Sequence, residues 1–434
     1  MGNNNFERVV GYSSIKSALE QIVDIIVNKE VYNALGATIP RGLLLHGEPG
    51  VGKTLMMKCL IDAIGYKSYI LRKNKPDGDF VKAIKDSFDE AANNAPSIVF
   101  LDDMDKFSES DDSKNHEEYV TIQSCIDEVK DKEVFVIATA NDIYDLPKSL
   151  LRAGRFDRII EVHAPKGRDA VDIVAHYLKN KQVADDVHPE AIAKILNGHS
   201  CAQLETIINE AGLYAGFNRS DKITMKDFLK AYLYSYYDIP IYHFENKKPV
   251  DLSDPTSTDA ITIYHESGHA VVSEILFTES VSLITFFNRC ENDGGITKTS
   301  RDRNHRTIKT IEKDIIIMLA GMAAIDKKFG FRDIGTMSDL DDAFTLLDNI
   351  VADSCTSGFT LYRHGRKEAE ETISRRESVI SAEIERYYSK AKEILSQNND
   401  FFEKIAAELA DKKMLYSEDI QRIKAECRII PANI

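Results

Sequence analysis

Residues 47–54 read GEPGVGKT, and this stretch decides the fold of the first part of the chain. It fits the pattern G-x-x-x-x-G-K-[ST], in which the backbone N–H groups of a glycine-rich loop wrap a phosphate chain. An apolar stretch, Gly42–Leu45, precedes it, and a helical pattern from Leu55 to Ile64 follows. The alternative is a glycine-rich turn without a ligand, but the flanking strand and helix argue against it. The sequence therefore predicts a phosphate site at a helix N-terminus, which favours anions.

Side chains of this loop and of a later strand have specific expected roles. Lys53 is expected to reach the β- and γ-phosphates, and Thr54 to ligate Mg²⁺. The apolar run at 97–101 is followed by two acids, Asp102 and Asp103. Asp102 is expected to hold the Mg²⁺ shell. Asp103 occupies the position at which ATPases with this kind of phosphate loop usually carry a glutamate. That glutamate orients the water that attacks the γ-phosphate.

Polar and basic residues follow the next apolar run. Asn141 stands at the tip of that predicted strand, where it can help to position the hydrolytic water. Residues 150–158 read LLRAGRFDR, and Arg155 and Arg158 are of the kind that reach the γ-phosphate of a neighbouring subunit. On spacing alone, a solvated basic turn is the favoured interpretation of these arginines.

The strand and helix patterns predict the fold class. Short β-rich apolar runs alternate with helix-length segments at 41–46, 68–71, 97–101, 133–138 and 159–162. Near-continuous apolar strands that alternate with helices indicate a parallel sheet covered on both faces. From about residue 167 to residue 236 only helical periodicity continues, which predicts a small all-α domain.

A second motif, HESGH at residues 265–269, fits H-E-x-x-H. On a helix, His265 and His269 share a face, so that their imidazoles can bind one Zn²⁺. Glu266 would then act as general base on the zinc-bound water, whose pKa the metal lowers towards neutrality. Two metal-free histidines on a buried helix are the alternative. Spacing leaves the third ligand open among Glu274, Glu291, Asp333, Asp339 and several others.

The composition limits the class of protein. A chain of 434 residues exceeds one ordinary domain of about 150 residues. The net charge of −15 argues against general nucleic-acid binding, which needs a positive surface. No apolar stretch reaches the roughly 18 residues of a membrane span. The six scattered cysteines form no CxxC pair, which predicts reduced thiols in a cytoplasmic protein.

In their order along the chain, these motifs resemble those of the FtsH family, the AAA+ ATP-dependent zinc metalloproteases. The resemblance runs from about Phe6 to the C-terminus, and the matching segments are GEPGVGKT, FLDDMD (100–105), TAN (139–141), LLRAGRFDR, LETIINEAGL (204–213), TIYHESGHAVV (262–272), LAGMAAIDKKFG (319–330) and GTMSDL (335–340). It implies Asp339 as the third zinc ligand and Arg155 and Arg158 as arginine fingers. It also implies a homo-hexamer that acts on protein or peptide substrates.

The resemblance extends to the nucleotide contacts and implies ATP, Mg²⁺ and Zn²⁺ as cofactors. The positions at which the family contacts adenine and ribose are occupied here by Gly11, Cys201 and Ala202. His176 lies one residue away from the position at which the family has a histidine beside adenine. Residues 294–297 (GGIT) resemble the edge strand that binds substrate by strand addition. The expected nucleotide-binding residues are Gly11, Gly47, Glu48, Pro49, Gly50, Val51, Gly52, Lys53, Thr54, Leu55, Asp102, His176, Cys201 and Ala202.

The implied architecture is multidomain. Its parts are an α/β AAA+ nucleotide-binding domain with a parallel sheet (1–165), an all-α lid (166–238), a linker (239–258) and a mainly α zinc peptidase domain with a small β section (259–434). The membrane anchors that precede the ATPase module in the family are expected to be absent, either because the protein is a soluble relative or because this sequence is a piece of a longer chain.

Three departures from the family pattern bear on how ATP would be used. Asp103 is one methylene shorter than glutamate, and a misplacement of about 1 Å can cost about a hundredfold in rate. No aromatic stands near residues 76–78, where the family carries that of its first pore loop, and Phe80 or Tyr69 is the candidate substitute. Residues 108–118 lack the glycines of the second pore loop. Two hypotheses follow: a protease that unfolds and degrades proteins, or an ATP-binding oligomer that gates a peptidase or remodels a partner without processive unfolding.

Overall fold

The computed structural model describes residues 6–73, 80–107, 117–239, 250–287, 294–301, 307–354, 357–358, 361 and 370–434. The expected pore loops, at 73–80 and 108–118, and the expected linker lie largely outside the described residues. The chain divides into two compact units, Met1–Phe228 and Leu229–Ile434.

A five-stranded sheet forms the centre of the first unit. Its strands are β1 (Gly42–His46), β2 (Lys67–Leu71), β3 (Ser97–Leu101), β4 (Val134–Ala140) and β5 (Arg158–Glu161). The spatial order is β2-β3-β4-β1-β5, and every pairing is parallel. The predicted parallel sheet is therefore confirmed. Strand β4 runs two residues further than predicted, so that Asn141 follows it directly.

Helices alternate with these strands and continue after them. They are α1 (Ser13–Val27), α2 (Lys29–Ala34), α3 (Lys53–Ile64), α4 (Phe80–Asn93), α5 (Glu117–Glu128), α6 (Gly167–Leu178), α7 (Pro189–Ile195) and α8 (Cys201–Phe217). Helices α4 and α5 bury Phe88 and Ile122 in one apolar cluster with Val99 and Val136 of the sheet. Helix α9 (Met225–Tyr237) carries the boundary between the two units.

The second unit is mainly helical. Its helices are α10 (Thr258–Leu276), α11 (Ile308–Met318), α12 (Ala320–Phe329), α13 (Met337–Ala352), α14 (Glu370–Gln397), α15 (Asn399–Lys412) and α16 (Ser417–Ala425). An antiparallel sheet in the order β7-β6-β8 accompanies them, formed by β6 (Val281–Phe287), β7 (Gly294–Thr299) and β8 (Met414–Tyr416). The predicted small β section is confirmed, whereas β8 was not predicted.

Helix α10 is the central element of this unit. It is buried along most of its length, and Ile263 and Val272 belong to one core cluster with Ile284, Ala320 and Phe402. These partners come from β6, α12 and α15. Because interiors are close-packed, neighbours on several sides fix the position of this helix and of the side chains that it carries.

A buried carboxylate holds the C-terminal end of α10. Glu274 accepts hydrogen bonds from Val281 N at 2.8 Å and from Gln421 Nε2 at 2.9 Å, and its Oε2 lies 3.0 Å from Lys424 Nζ. These contacts join α10 to the start of β6 and to α16. A buried carboxylate is tolerated only with such partners, because losing its water is costly.

We predict that Lys424→Met destabilises the second unit by about 3 kcal/mol, because it leaves the Glu274 carboxylate buried and without its cation. The measurement is the unfolding transition of this unit in denaturant. Lys404→Met is the control, since it removes an exposed pair with Asp400 and is expected to have little effect. Equal stability of the Lys424 variant and the wild type would contradict the account.

Candidate nucleotide and metal sites

The predicted phosphate loop connects β1 to α3. Gly47, Gly50 and Gly52 all have positive φ angles, which let the loop turn back over the start of the helix. Helix α3 begins at Lys53, two residues earlier than the sequence analysis expected. Lys53 and Thr54 therefore lie in the first helical turn, where free backbone N–H groups and the helix dipole favour an anion.

Lys53 is buried and directed into the loop. Its Nζ donates to the carbonyl oxygens of Gly47 at 2.6 Å and Glu48 at 2.9 Å, and to Asn141 Oδ1 at 3.0 Å. Burial lowers the pKa of Lys53, and the charge of Asp103 opposes this shift. The tip of β4 thus contacts the loop directly, as expected for an asparagine that helps to arrange a γ-phosphate site.

Oxygen ligands suited to Mg²⁺ lie beside the loop. Thr54 Oγ1 is 2.9 Å from Asp102 Oδ1, and Asp102 is buried at the end of β3. Thr139 Oγ1 donates to the same carboxylate oxygen at 2.8 Å and accepts from Asp103 N at 2.9 Å. The hydroxyl and carboxylate oxygens are the hard ligands that Mg²⁺ prefers. Thr139 belongs to the TAN motif, from which the sequence alone predicts no role for its hydroxyl.

Asp103 is held by two basic side chains that the sequence analysis did not consider. Its Oδ2 lies 2.9 Å from Arg72 Nη2 and 3.0 Å from Lys106 Nζ. The residue has a positive φ of 56°, which is uncommon for a side chain other than glycine. The carboxylate expected to orient water is therefore engaged in ion pairs.

A cavity of about 540 Å³ opens over the phosphate loop. The predicted residues that line it are Pro49, Gly50, Val51, Gly52, Lys53, Thr54, Leu55, Asp103, Asn141, His176, Cys201 and Ala202. Gly11, Gly47, Glu48 and Asp102 are not among its lining residues. Further lining residues, which the sequence analysis missed, are Arg8, Val9, Val10, Tyr12, Met56, Lys106, Ile173, Tyr177 and Glu205. Apart from Lys106, these come from the N-terminal segment and helices α3, α6 and α8, and only the tertiary fold shows which of their side chains face the cavity.

The two arginines predicted as fingers differ in their surroundings. Arg155 Nη2 lies 2.7 Å from Asp127 Oδ2, and its Nη1 donates to Ser149 O at 2.5 Å. Arg158 is the first residue of β5 and is exposed. A finger acts on the nucleotide of a neighbouring subunit, so this role stays a prediction.

In the second unit, His265, His269 and Asp339 converge on one point. The two Nε2 atoms are 2.9 Å apart, and each lies 3.1 Å from Asp339 Oδ2. Two tetrahedral zinc ligands are separated by about 3.3 Å, so this triangle is close to the size that one Zn²⁺ requires. Of the ligand candidates that spacing left open, Asp339 joins the histidines, whereas Glu274 is paired with Lys424.

The electrostatics of this cluster favour a positive charge at its centre. Burial lowers the pKa of His269, but the hydrogen bond and charge of Asp339 outweigh burial and raise it to about 9. Burial also raises the pKa of Asp339, but the two imidazoles hold it well below its usual range. His269 Nδ1 lies 2.7 Å from the carbonyl oxygen of Ile317, which turns Nε2 towards the cluster. Two imidazoles and one carboxylate are a donor set of catalytic zinc sites.

Two glycines let neighbouring backbone approach these side chains. A Cβ on Gly321 of α12 would lie 2.3 Å from His265 Cε1 and 2.6 Å from His269 Nε2. A Cβ on Gly295 of β7 would lie 2.3 Å from Glu266 Cγ. Both segments were matched to the family by sequence, but the need for these glycines follows only from the tertiary contacts.

Comparison with known proteins assigns both units. Residues 43–164 match the family described as ATPase family associated with various cellular activities (AAA), and residues 255–423 match Peptidase family M41. ATP-dependent zinc metalloprotease FtsH 3 of Petrotoga mobilis is 30% identical over 452 residues, which cover 96% of this chain and 68% of that protein. The FtsH of Thermus thermophilus is 29% identical, with 96% and 70% covered. FtsH 2 of Thermoanaerobacter is 28% identical, with 98% and 83% covered.

These similarities confirm the resemblance and the fold class that the motifs predicted. Within the described part of the chain, no helix has the length and apolar character needed to cross a bilayer.

We predict that Gly321→Ala lowers the affinity for Zn²⁺ by at least about tenfold, because the added methyl group displaces both imidazoles. The measurement is competition with a zinc-binding dye. Gly216→Ala is the matched control, since a Cβ at this helical glycine meets open space. Unchanged zinc affinity in the Gly321 variant would contradict the geometry.

Proposed function

The chain belongs to the FtsH family of ATP-dependent zinc metalloproteases, and we propose that it hydrolyses peptide bonds in protein substrates at His265, His269 and Asp339. One observation carries the proposal: three donors converge within 3.1 Å of one another. They fit Zn²⁺ in number, chemical type and spacing. Zn²⁺ bound there would act as a Lewis acid on the scissile carbonyl and would make water more acidic.

In this proposal Glu266 is the general base. It neighbours His265 on α10, and only 5% of its surface is exposed. Its carboxylate would take a proton from water as the water oxygen attacks the carbonyl carbon, and would deliver that proton to the leaving amine as the C–N bond breaks. A buried and closely packed base needs little rearrangement for these transfers.

The first unit would bind and hydrolyse ATP. We assign Lys53 to the β- and γ-phosphates, Thr54 and Asp102 to Mg²⁺, and Asn141 and Asp103 to the attacking water. The support is the set of contacts that join these side chains around the phosphate loop. The family resemblance and the cavity lining support His176, Cys201 and Ala202 as contacts to the nucleoside. Gly11 is assigned to the nucleoside on the resemblance alone.

We extend the proposal to a homo-hexamer that unfolds its substrates. Arg155 and Arg158 would then reach the nucleotide of a neighbouring subunit and stabilise transferred charge. The ion pair between Arg155 and Asp127 would have to open for that residue to act. The support for a ring is the family membership together with the position of these arginines in the segment LLRAGRFDR.

The surroundings of Asp103 favour a second candidate function. This is an ATP-binding oligomer that gates the peptidase, or remodels a partner, without processive unfolding. The Asp103 carboxylate is short and is paired with Arg72 and Lys106. Both features oppose the use of Asp103 in orienting water. Slow ATP hydrolysis would suit gating of the peptidase better than processive unfolding of a substrate.

The expected result for Glu266→Gln is a loss of peptide cleavage of about a hundredfold or more, because the amide cannot accept the proton. Zinc should remain bound, since the ligands are unchanged. The measurement combines cleavage of a fluorogenic peptide with metal analysis. Glu279→Gln, at an exposed position shortly after α10, is the control. Cleavage by the Glu266 variant at the wild-type rate would refute the base assignment.

If Asp103 limits hydrolysis, Asp103→Glu should raise the ATPase rate by about tenfold, because the longer side chain reaches the water. The measurement is steady-state phosphate release, with Lys53→Ala as the blank that cannot hold the phosphates. An unchanged or lower rate would mean that the site is adapted to aspartate.

A further inference from the structure

Thr297 of β7 contacts the carboxylate that we propose as the base. Its Oγ1 lies 2.6 Å from Glu266 Oε2 and 3.1 Å from the Glu266 carbonyl oxygen. A hydroxyl has one proton to donate. The shorter distance and the negative charge of the acceptor both favour donation to the carboxylate.

The same face of β7 also covers the other carboxylate oxygen. Gly295 precedes Thr297 by two residues, so both positions point to one side of the strand. A Cβ at Gly295 would lie 2.5 Å from Glu266 Oε1. Thr297 therefore occupies Oε2, while the backbone of Gly295 passes close to Oε1. Among the described residues, none donates a hydrogen bond to Oε1 that would compete with water.

We propose that Thr297 is a positioning residue for Glu266. Its hydroxyl holds Oε2 and thereby fixes the rotation of the carboxylate, which leaves Oε1 as the oxygen that accepts the proton. The last torsion of a glutamate side chain is otherwise broad, so the base would sample many orientations without this bond. This inference rests on the proposed function, because it assumes that Glu266 is the base.

The position of Thr297 makes alignment of the base depend on the register of β7. Thr297 lies opposite Ile284 of β6. A shift of one residue would turn the threonine to the other side of the sheet and bring Ile296 or Lys298 towards Glu266. Neither residue can supply the same neutral hydroxyl. The base on α10 is thus aligned by a residue from a different element.

Two substitutions separate the hydroxyl from the shape of the side chain. Thr297→Val keeps the branched shape and removes the donor, whereas Thr297→Ser keeps the donor and removes a methyl group. We expect the valine variant to lose about tenfold to a hundredfold in kcat on a fluorogenic peptide, with KM within about twofold and zinc fully bound. The serine variant should stay within about threefold of the wild type.

Thr256→Val is the matched control. Thr256 Oγ1 also donates to a carboxylate oxygen, that of Asp254 at 2.7 Å, but the residue is exposed in the turn before α10. Loss of a threonine–carboxylate bond that does not involve the base should leave kcat unchanged. Melting temperature and metal content, measured on every variant, identify any loss that comes from unfolding or from missing zinc.

With the single variants, three results would overturn the inference: wild-type kcat in Thr297→Val, a serine variant as impaired as the valine variant, or a defect confined to KM. Failure of the proposed function is recognised by a different result: the Glu266→Gln variant would then remain active, whichever residue stands at position 297. In the Glu266→Gln background, Thr297→Val should cause no further loss, since the two residues act as one unit. An additional tenfold loss there would assign Thr297 another role and contradict the inference.

Discussion

The second unit depends on one constraint: two imidazoles and a carboxylate must lie about 3 Å apart, around one point. The histidines come from α10 and the aspartate from the first turn of α13, so the constraint fixes these two helices relative to each other. The neighbours on the other sides of α10 then have little freedom. Helix α12 must present Gly321 to the imidazoles, and β7 must present Gly295 to Glu266.

The cost of such a cluster explains how the rest of the unit is built. Three polar groups that are partly removed from water cost free energy unless they share a cation or a hydrogen-bond network. The core around α10 and the buried contacts of Glu274 hold the helix in place while the cluster itself supplies charge rather than packing. In the first unit, polar groups are also held by shared hydrogen bonds. The single hydroxyl of Thr139 orients both the Asp102 carboxylate and the backbone of Asp103.

Much of this arrangement could be predicted from local sequence. The phosphate loop, the alternating strands and H-E-x-x-H each lie within one short segment, and their geometry follows from the period of a strand or a helix. The contacts across segments could not be predicted in this way. Arg72 reaches Asp103, and Tyr12 lines the nucleotide cavity, only because the tertiary fold brings these segments together. Asp339 required the family resemblance, since spacing did not separate it from other acids.

In the proposed function, ATP hydrolysis and peptide hydrolysis are two steps of one activity. The most direct test is degradation of a labelled unfolded protein with zinc present, in ATP, in a non-hydrolysable analogue and without nucleotide, with Glu266→Gln as the blank. The account predicts degradation only with hydrolysable ATP. Equal degradation in the analogue would contradict it, and would assign ATP a role in assembly or gating alone.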